Sequence, residues 1–228
     1  MPETVIEPAQ SALLPVKGTD KSFPVRRVYC IGRNYAAHAV EMGHDPDKEP
    51  PFFFQKNPDN LDTSGTFPYP PKSADVHHEI ELAVALKSGG TNIPLSEALD
   101  HVYGYAVALD MTRRDLQGEA KKMGRPWEVG KAFERSAPIG PLVPATECGH
   151  PDSGRVTLHV NGALKQDGDL NQLIWKVPEM ISYLSDYFEL AAGDVILTGT
   201  PAGVGPVSAG DVLEGHVDGF APLSVKVV

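Results

Sequence analysis

Cysteine is scarce: Cys30 and Cys148 are the only two in 228 residues, and no CxxC brings a pair together. Such spacing fits buried or idle thiols in a reducing compartment better than a disulfide scaffold. Cys30 lies in the apolar run VYCIG and reads as a packed core thiol rather than a nucleophile. No run of eighteen apolar residues is present, and MPETVIEPAQSALLPVKG has neither the basic start nor the apolar centre of a signal peptide, so a cytoplasmic protein without a membrane partner is expected. Positive charge is also short, with 20 Lys and Arg against 30 Asp and Glu for a net charge of −10. That balance argues against nucleic acid or anionic membrane as a partner, and any anionic substrate must meet local positive charge. Repeats and low-complexity tracts are absent. GTPAGVG lacks the GK[ST] ending of a phosphate loop and the GxGxxG spacing of a dinucleotide site, so by itself it is a turn.

Turn formers are plentiful, with 21 prolines and 22 glycines, and short apolar runs recur between them. A β-rich α+β enzyme is expected, with residues 1–23 as an extension or edge segment and 24–228 as one catalytic domain. VRRVYCIG reads as a strand, RNYAAHAVEMG as a short helix closed by Gly43, PFFFQKNP as a buried strand and VYGYAVALD as another strand. A helix is expected from Thr112 to the GRP break, with Lys121 and Lys122 on a solvated face. RVTLHVNG with LKQDGDL makes a hairpin around Asn-Gly. In NQLIWKVPEMISYLSDYFEL the apolar residues fall at helical spacing, with Pro178 opening a second helical turn or kinking a single helix. DVILTGTPAGVGPV is a strand entering a glycine loop.

The most informative stretch is HHEIELAVAL, His77 to Leu86. Ile80, Leu82, Val84 and Leu86 alternate with Glu79, Glu81, Ala83 and Ala85, the pattern of a strand with one buried face. At ~3.3 Å rise per residue the two carboxylates stand roughly 7 Å apart on one side. On open surface such a pair is harmless, and in a pocket it calls for a cation. Oxygen ligands suit Mg²⁺, Mn²⁺ or Ca²⁺. Zinc on His77 and His78 is disfavoured because adjacent strand residues point to opposite faces. Asp110, ending VYGYAVALD, would complete a three-carboxylate face for an octahedral cation, leaving sites for water and substrate oxygens.

Taken with IGRNYAAHAVEMG, GYAVALDMTRRDLQ, VGKAF and LTGTPAGVGPV in that order, this E-x-E resembles the fumarylacetoacetate hydrolase superfamily from about Val25 to Val228. HAVEMGHDPDKEPPFFFQKNPDNLD and GEAKKMGRPWEVGKAF are most similar to the fumarylpyruvate hydrolases of gentisate-type aromatic catabolism. The resemblance implies a mixed β-sandwich roll of the fumarylacetoacetate hydrolase C-terminal-domain type, a homodimer or higher homo-oligomer, and Mg²⁺ or Mn²⁺ held by Glu79, Glu81 and Asp110. It implies a His38–Glu41 dyad on a lid, whose i, i+3 spacing lets the carboxylate orient the imidazole as a base for water. Arg114, Gln117 and Lys131 correspond to donors for the attacked carbonyl, and Thr200 with nearby amides to the site of the pyruvyl carboxylate. The implied reaction is cleavage of a carbon–carbon bond in a dicarboxylic β-diketo acid, most simply fumarylpyruvate to fumarate and pyruvate. An acylpyruvase, an oxaloacetate decarboxylase or a 2-hydroxymuconate-type isomerase is the alternative. Arg33 and Arg125 are the expected partners of the substrate's second carboxylate, and Lys56 is a fainter candidate for the substrate edge.

Overall fold

In the computed structural model, residues 4–7, 11–37 and 50–228 are described. Two sheets face each other. The first has six strands in the order Val143–Pro144, Val102–Leu109, Ile80–Leu86, Asp194–Leu197, Arg27–Gly32 and Phe52–Lys56. It is mixed: Asp194–Leu197 runs parallel to Arg27–Gly32 and antiparallel to Ile80–Leu86. The second has five strands in the order Ala163–Asp169, Arg155–Val160, Val212–Val217, Leu223–Val227 and Thr66–Phe67. Ile80, Leu82, Val84 and Leu86 meet Val156, Leu158, Leu213 and Val225 of the second sheet in one apolar core. The sheets approach so closely at Gly215 that a Cβ there would lie 2.6 Å from Ile80 Cδ1. The β-sandwich reading therefore holds.

The expectation of a single buried face on Ile80–Leu86 does not. All seven of its residues are buried. Its second face carries Ala83 and Ala85, which join Ala106 and Ala108 of the neighbouring strand in a separate apolar cluster with Val28, Cys30, Val195 and Leu197. Alanines on that face leave room for a covering layer. Part of that layer comes from the N-terminal stretch, where Leu13–Pro15 pairs with Ser22–Pro24 and buries Leu14 and Phe23 against the same cluster. Cys30 lies within it, consistent with a packed thiol whose pKa burial pushes well up.

Other elements follow local chemistry. Asn161 and Gly162 both adopt positive φ at the tip of the Arg155–Val160/Ala163–Asp169 hairpin, as a tight Asn-Gly turn requires. Pro178 sits in the first turn of the Val177–Tyr187 helix and opens it, while Leu170–Gln172 before it is a separate 3₁₀ turn. The helix expected from Thr112 starts two residues later: Thr112–Arg113 pairs as a short strand with Val76–His78, and the helix spans Arg114–Met123, capped by left-handed Gly124. The short helix expected over RNYAAHAVEMG lies mostly outside the described residues, as do His38 and Glu41. Among the described residues no helix is long and apolar enough to cross a membrane.

Since both faces of Ile80–Leu86 are covered, Ala85→Glu should bury an unpaired carboxylate and cost at least about 3 kcal/mol of unfolding free energy. Ala163→Glu, on an exposed hairpin end, should change it by no more than about 0.5 kcal/mol. Chemical denaturation of both variants checks this, and a mild Ala85→Glu would restore the one-faced strand.

Candidate metal and oxo-acid site

The register of one strand pair assembles the acidic site. Ile80 lies opposite Leu109, and beyond that pair the Asp110 N–H donates to Glu79 O at 2.8 Å. Glu79 and Asp110 thus face one another at the end of the ladder, with Glu81 opposite Ala108. All three are at most 5% exposed. One carboxylate oxygen from each lies within 4.8 Å of the others, tighter than the spacing expected from strand rise alone.

Cations surround the triad. Lys131, buried at the end of the Glu128–Lys131 helical turn, donates to Glu79 Oε2 at 3.0 Å and to Asp110 Oδ2 at 2.7 Å. Burial on its own would lower the Lys131 pKa, but Asp110 and Glu79 outweigh it and hold the ammonium charged. Arg114 contacts Glu79 Oε1 and donates to Gln117 Oε1 at 2.7 Å, while Thr112 Oγ1 donates to Glu79 Oε1 at 3.2 Å. His77 stands behind Arg114, with Nδ1 3.4 Å from Arg114 Nε and Nε2 2.8 Å from Asp75 Oδ1. His78 is turned away and bonds Gln166, so the two histidines do not share an ion site.

Lys56 is placed differently from the substrate-edge role expected for it. It is buried beneath Asp110, with Nζ donating to Met111 O at 3.3 Å, to Ser136 Oγ at 2.9 Å and to Lys131 O. Those three acceptors take its three N–H groups. Asp110 Oδ1 is 2.9 Å away yet out of line for a hydrogen bond, and it is a buried oxygen with no directed donor. Glu81 accepts the Gly199 N–H at 2.7 Å, while burial, then repulsion from Asp110 and Glu79, raises its pKa well above the ordinary carboxylate value. An undonated carboxylate oxygen and a destabilised glutamate anion beside it are what a hard divalent cation would satisfy. The triad therefore fits Mg²⁺ or Mn²⁺.

The glycine loop is fastened to this centre by two residues that the sequence did not single out. Gln166, fully buried, accepts the Ile80 N–H at 3.0 Å and bonds His78 Nδ1 through Oε1, and its Nε2 donates to Thr200 Oγ1 and Pro201 O, both at 2.8 Å. Because Thr200 Oγ1 accepts from Gln166, its own proton is left to donate elsewhere. Asn34 ties Thr198 O and Trp175 O together through its amide, and its Oδ1 accepts the Trp175 N–H. Gly199 has φ +95°, and a Cβ there would sit 2.8 Å from Asn34 Cβ, so this position requires glycine.

A cleft opens above the carboxylates, lined by Glu79, Glu81, Asp110, Arg114, Gln117, Lys131 and Thr200. The rest of its wall includes Arg33, Phe52, Phe54, Lys121 and Trp127. Of the two arginines expected at the far end of a substrate, Arg33 lines the cleft. Arg125 does not: it follows the Gly124 cap and is exposed. Lys121, expected on a solvated face, takes that place instead. It is one helical face with Arg114 and Gln117, at i, i+3 and i+7, a spacing that was available in RRDLQGEAK.

The fumarylacetoacetate (FAA) hydrolase C-terminal family model matches residues 27–228. The chain belongs to this family. Its fold superposes with a TM-score of 0.98 on the fumarylpyruvate hydrolase of Pseudomonas aeruginosa solved with Mn²⁺ and pyruvate, at 53% identity and over 99% of both chains. A candidate fumarylpyruvate hydrolase of Burkholderia cenocepacia matches at 50% identity and a TM-score of 0.93, covering 99% of this chain and 98% of that one. The mitochondrial oxaloacetate tautomerase of Arabidopsis thaliana is 42% identical over 201 residues, 88% of this chain and 90% of the relative. The protein is thus an enzyme of the fumarylacetoacetate hydrolase family, whose relatives include hydrolases and tautomerases.

A raised Glu81 pKa has a signed consequence for metal binding. In the metal-free protein the stability it contributes is present at pH below the unfolded-state glutamate value and is lost as pH rises through the folded one. A divalent ion should relieve that loss. Saturating Mn²⁺ or Mg²⁺ should therefore raise Tm more at about pH 8 than at about pH 5.5, by roughly 5–10 °C at the higher pH if the ion is near 100 times its Kd. Scanning calorimetry with and without chelator is the check, and a Tm that ignores both metals at both pH values would remove the ion from this site.

Proposed function

We propose that this protein is a divalent-metal-dependent hydrolase that cleaves fumarylpyruvate to fumarate and pyruvate. The observation that carries the reading is the cleft itself: buried carboxylates and a free donor at Thr200 share one lining with Arg33 and Lys121, suited to a diacid with a metal-chelating keto-acid end. Full-length similarity to the Pseudomonas hydrolase holding Mn²⁺ and pyruvate supports the same substrate.

Bound on Glu79, Glu81 and Asp110, a divalent cation supplies neutralisation of charge developing at the keto-acid end. Thr200 O–H donates to the pyruvyl carboxylate, its acceptor lone pair already engaged by Gln166. His38 takes a proton from water and Glu41 holds the imidazole in the required tautomer. The resulting hydroxide adds to the carbonyl next to the fumaryl group, and Arg114 and Gln117 donate to its oxygen. The carbon–carbon bond then breaks with its electron pair on the pyruvyl carbon, which is protonated to give pyruvate. Lys131 stays charged beside Glu79 and Asp110 and keeps their oxygens aimed at one point.

A second reading, tautomerisation of an oxo-acid such as oxaloacetate, is favoured by the Arabidopsis relative. It uses the same keto-acid end but requires no water attack.

Purified protein with Mn²⁺ or Mg²⁺ should abolish the absorbance of fumarylpyruvate and yield fumarate and pyruvate in equal amounts, and chelation should stop it. His38→Ala should lower kcat by about 10²- to 10⁴-fold while affinity for an unreactive diketo-acid analogue changes little. Oxaloacetate tautomerisation without fumarylpyruvate cleavage would favour the second reading instead.

A further inference from the structure

We propose that Lys121, paired with Arg33 on a shared aromatic shelf, is the specificity residue that recognises the distal carboxylate of a dicarboxylic substrate. The proposal rests on the hydrolase reading above and deepens it. Lys121 projects from the Arg114–Met123 helix two turns beyond Arg114, so the donors expected at the reacting carbonyl and this ammonium lie in one row along the cleft. Its Nζ lies 4.7 Å above the Trp127 ring, and the Arg33 guanidinium lies 5.5 Å above Phe52. Phe52 and Trp127 are in edge contact at 4.8 Å between centroids, so the two cations share a single aromatic floor. Cation–π contact holds an ammonium in place while leaving its N–H groups free for an anion. Among the described residues Lys121 forms no ion pair with a carboxylate, in contrast to Lys131.

Arg33 reaches this position with a left-handed backbone, φ +58°, an uncommon conformation for arginine. Among the described residues, the charged groups around Lys121 are Arg114 on its own helix, Arg33, Lys131 from the following helical turn and Glu79 at the triad. Burial first, then Arg114 and Arg33, lower its pKa to about 8, with Glu79 opposing. A substrate carboxylate beside Lys121 would offset the positive charge around that ammonium, and a substrate lacking it would not. In the metal-free protein the ammonium loses its proton as pH rises through about 8, and a divalent ion on Glu79 would lower that range, so the selectivity it provides should weaken as pH rises.

The test compares kcat/KM for fumarylpyruvate and for acetylpyruvate, which lacks the second carboxylate, on Mn²⁺-saturated wild type, Lys121→Met and Lys121→Arg from about pH 6.5 to 10. In wild type the preference for fumarylpyruvate should fall as pH rises across this range. Lys121→Met should lose roughly 10- to 150-fold on fumarylpyruvate, mainly in KM, and far less on acetylpyruvate. Lys121→Arg should retain the preference and carry it to higher pH, since guanidinium does not deprotonate in this range. Equal losses on both substrates in Lys121→Met, or a pH-independent preference in wild type, would overturn the assignment. Should wild type cleave neither diketo acid, the hydrolase reading fails separately. Calorimetric titration of fumarate into the metal-loaded protein then decides the subsite: affinity weakened about tenfold or more by Lys121→Met upholds it, and unchanged affinity overturns it.

Discussion

The Asp110 N–H to Glu79 O hydrogen bond that ends the central strand ladder is the constraint on which the site depends. It fixes two carboxylates opposite each other at a buried sheet end, with Glu81 on the adjacent turn of the pleat. Carboxylates do not ionise in such a place without compensation. Lys131, Arg114 and Lys56 provide it, and each is held by contacts reaching elements distant in sequence. The three cations balance the three carboxylates, so a divalent ion would leave the cleft with excess positive charge. On the proposed reading, that excess, together with Arg33 and Lys121 in the same cleft, is what would draw a dianionic substrate to a chain of net charge −10.

The two sheets act on this centre from opposite sides. Large aliphatic residues lock the carboxylate strand to the second sheet, while the alanine face lets the N-terminal hairpin cover it. Gln166 comes from an outer strand of the second sheet, yet it bonds the first backbone amide of the carboxylate strand and the glycine loop together. The site is thus pinned by a side chain of the layer that it does not belong to.

Much of this was legible in the chain. Alternation in EIELAVAL located the central strand, the terminal aspartate of VYGYAVALD located its partner, and Asn161-Gly162 located a hairpin, because each signal is local and each reports a backbone requirement. The second buried face was not legible, since alanines suit a covered layer and an exposed one equally well. Lys56 alternates with Phe52 and Phe54 and so shares their side of the strand, but nothing local says whether that side holds substrate or carboxylate. Arg125 and Lys121 show the same limit: charge alone suggested the arginine, whereas the left-handed Gly124 cap sends the chain away before it and leaves Lys121 on the cleft row. Gln166 and Asn34 carried no signal, because an amide's role is set entirely by the partners that the fold brings to it.

The aromatic floor has an optical consequence. The chain has two tryptophans; Trp175 stacks on Tyr183 away from the cleft lining, and Trp127 alone of the two borders the cleft. With an ammonium held against one face of its indole and a phenylalanine edge against it, the Trp127 excited state senses the field of whatever enters. One of the two indoles thus lies in the cleft wall beside Lys121, so a change of intrinsic emission on adding a ligand would report entry at that wall.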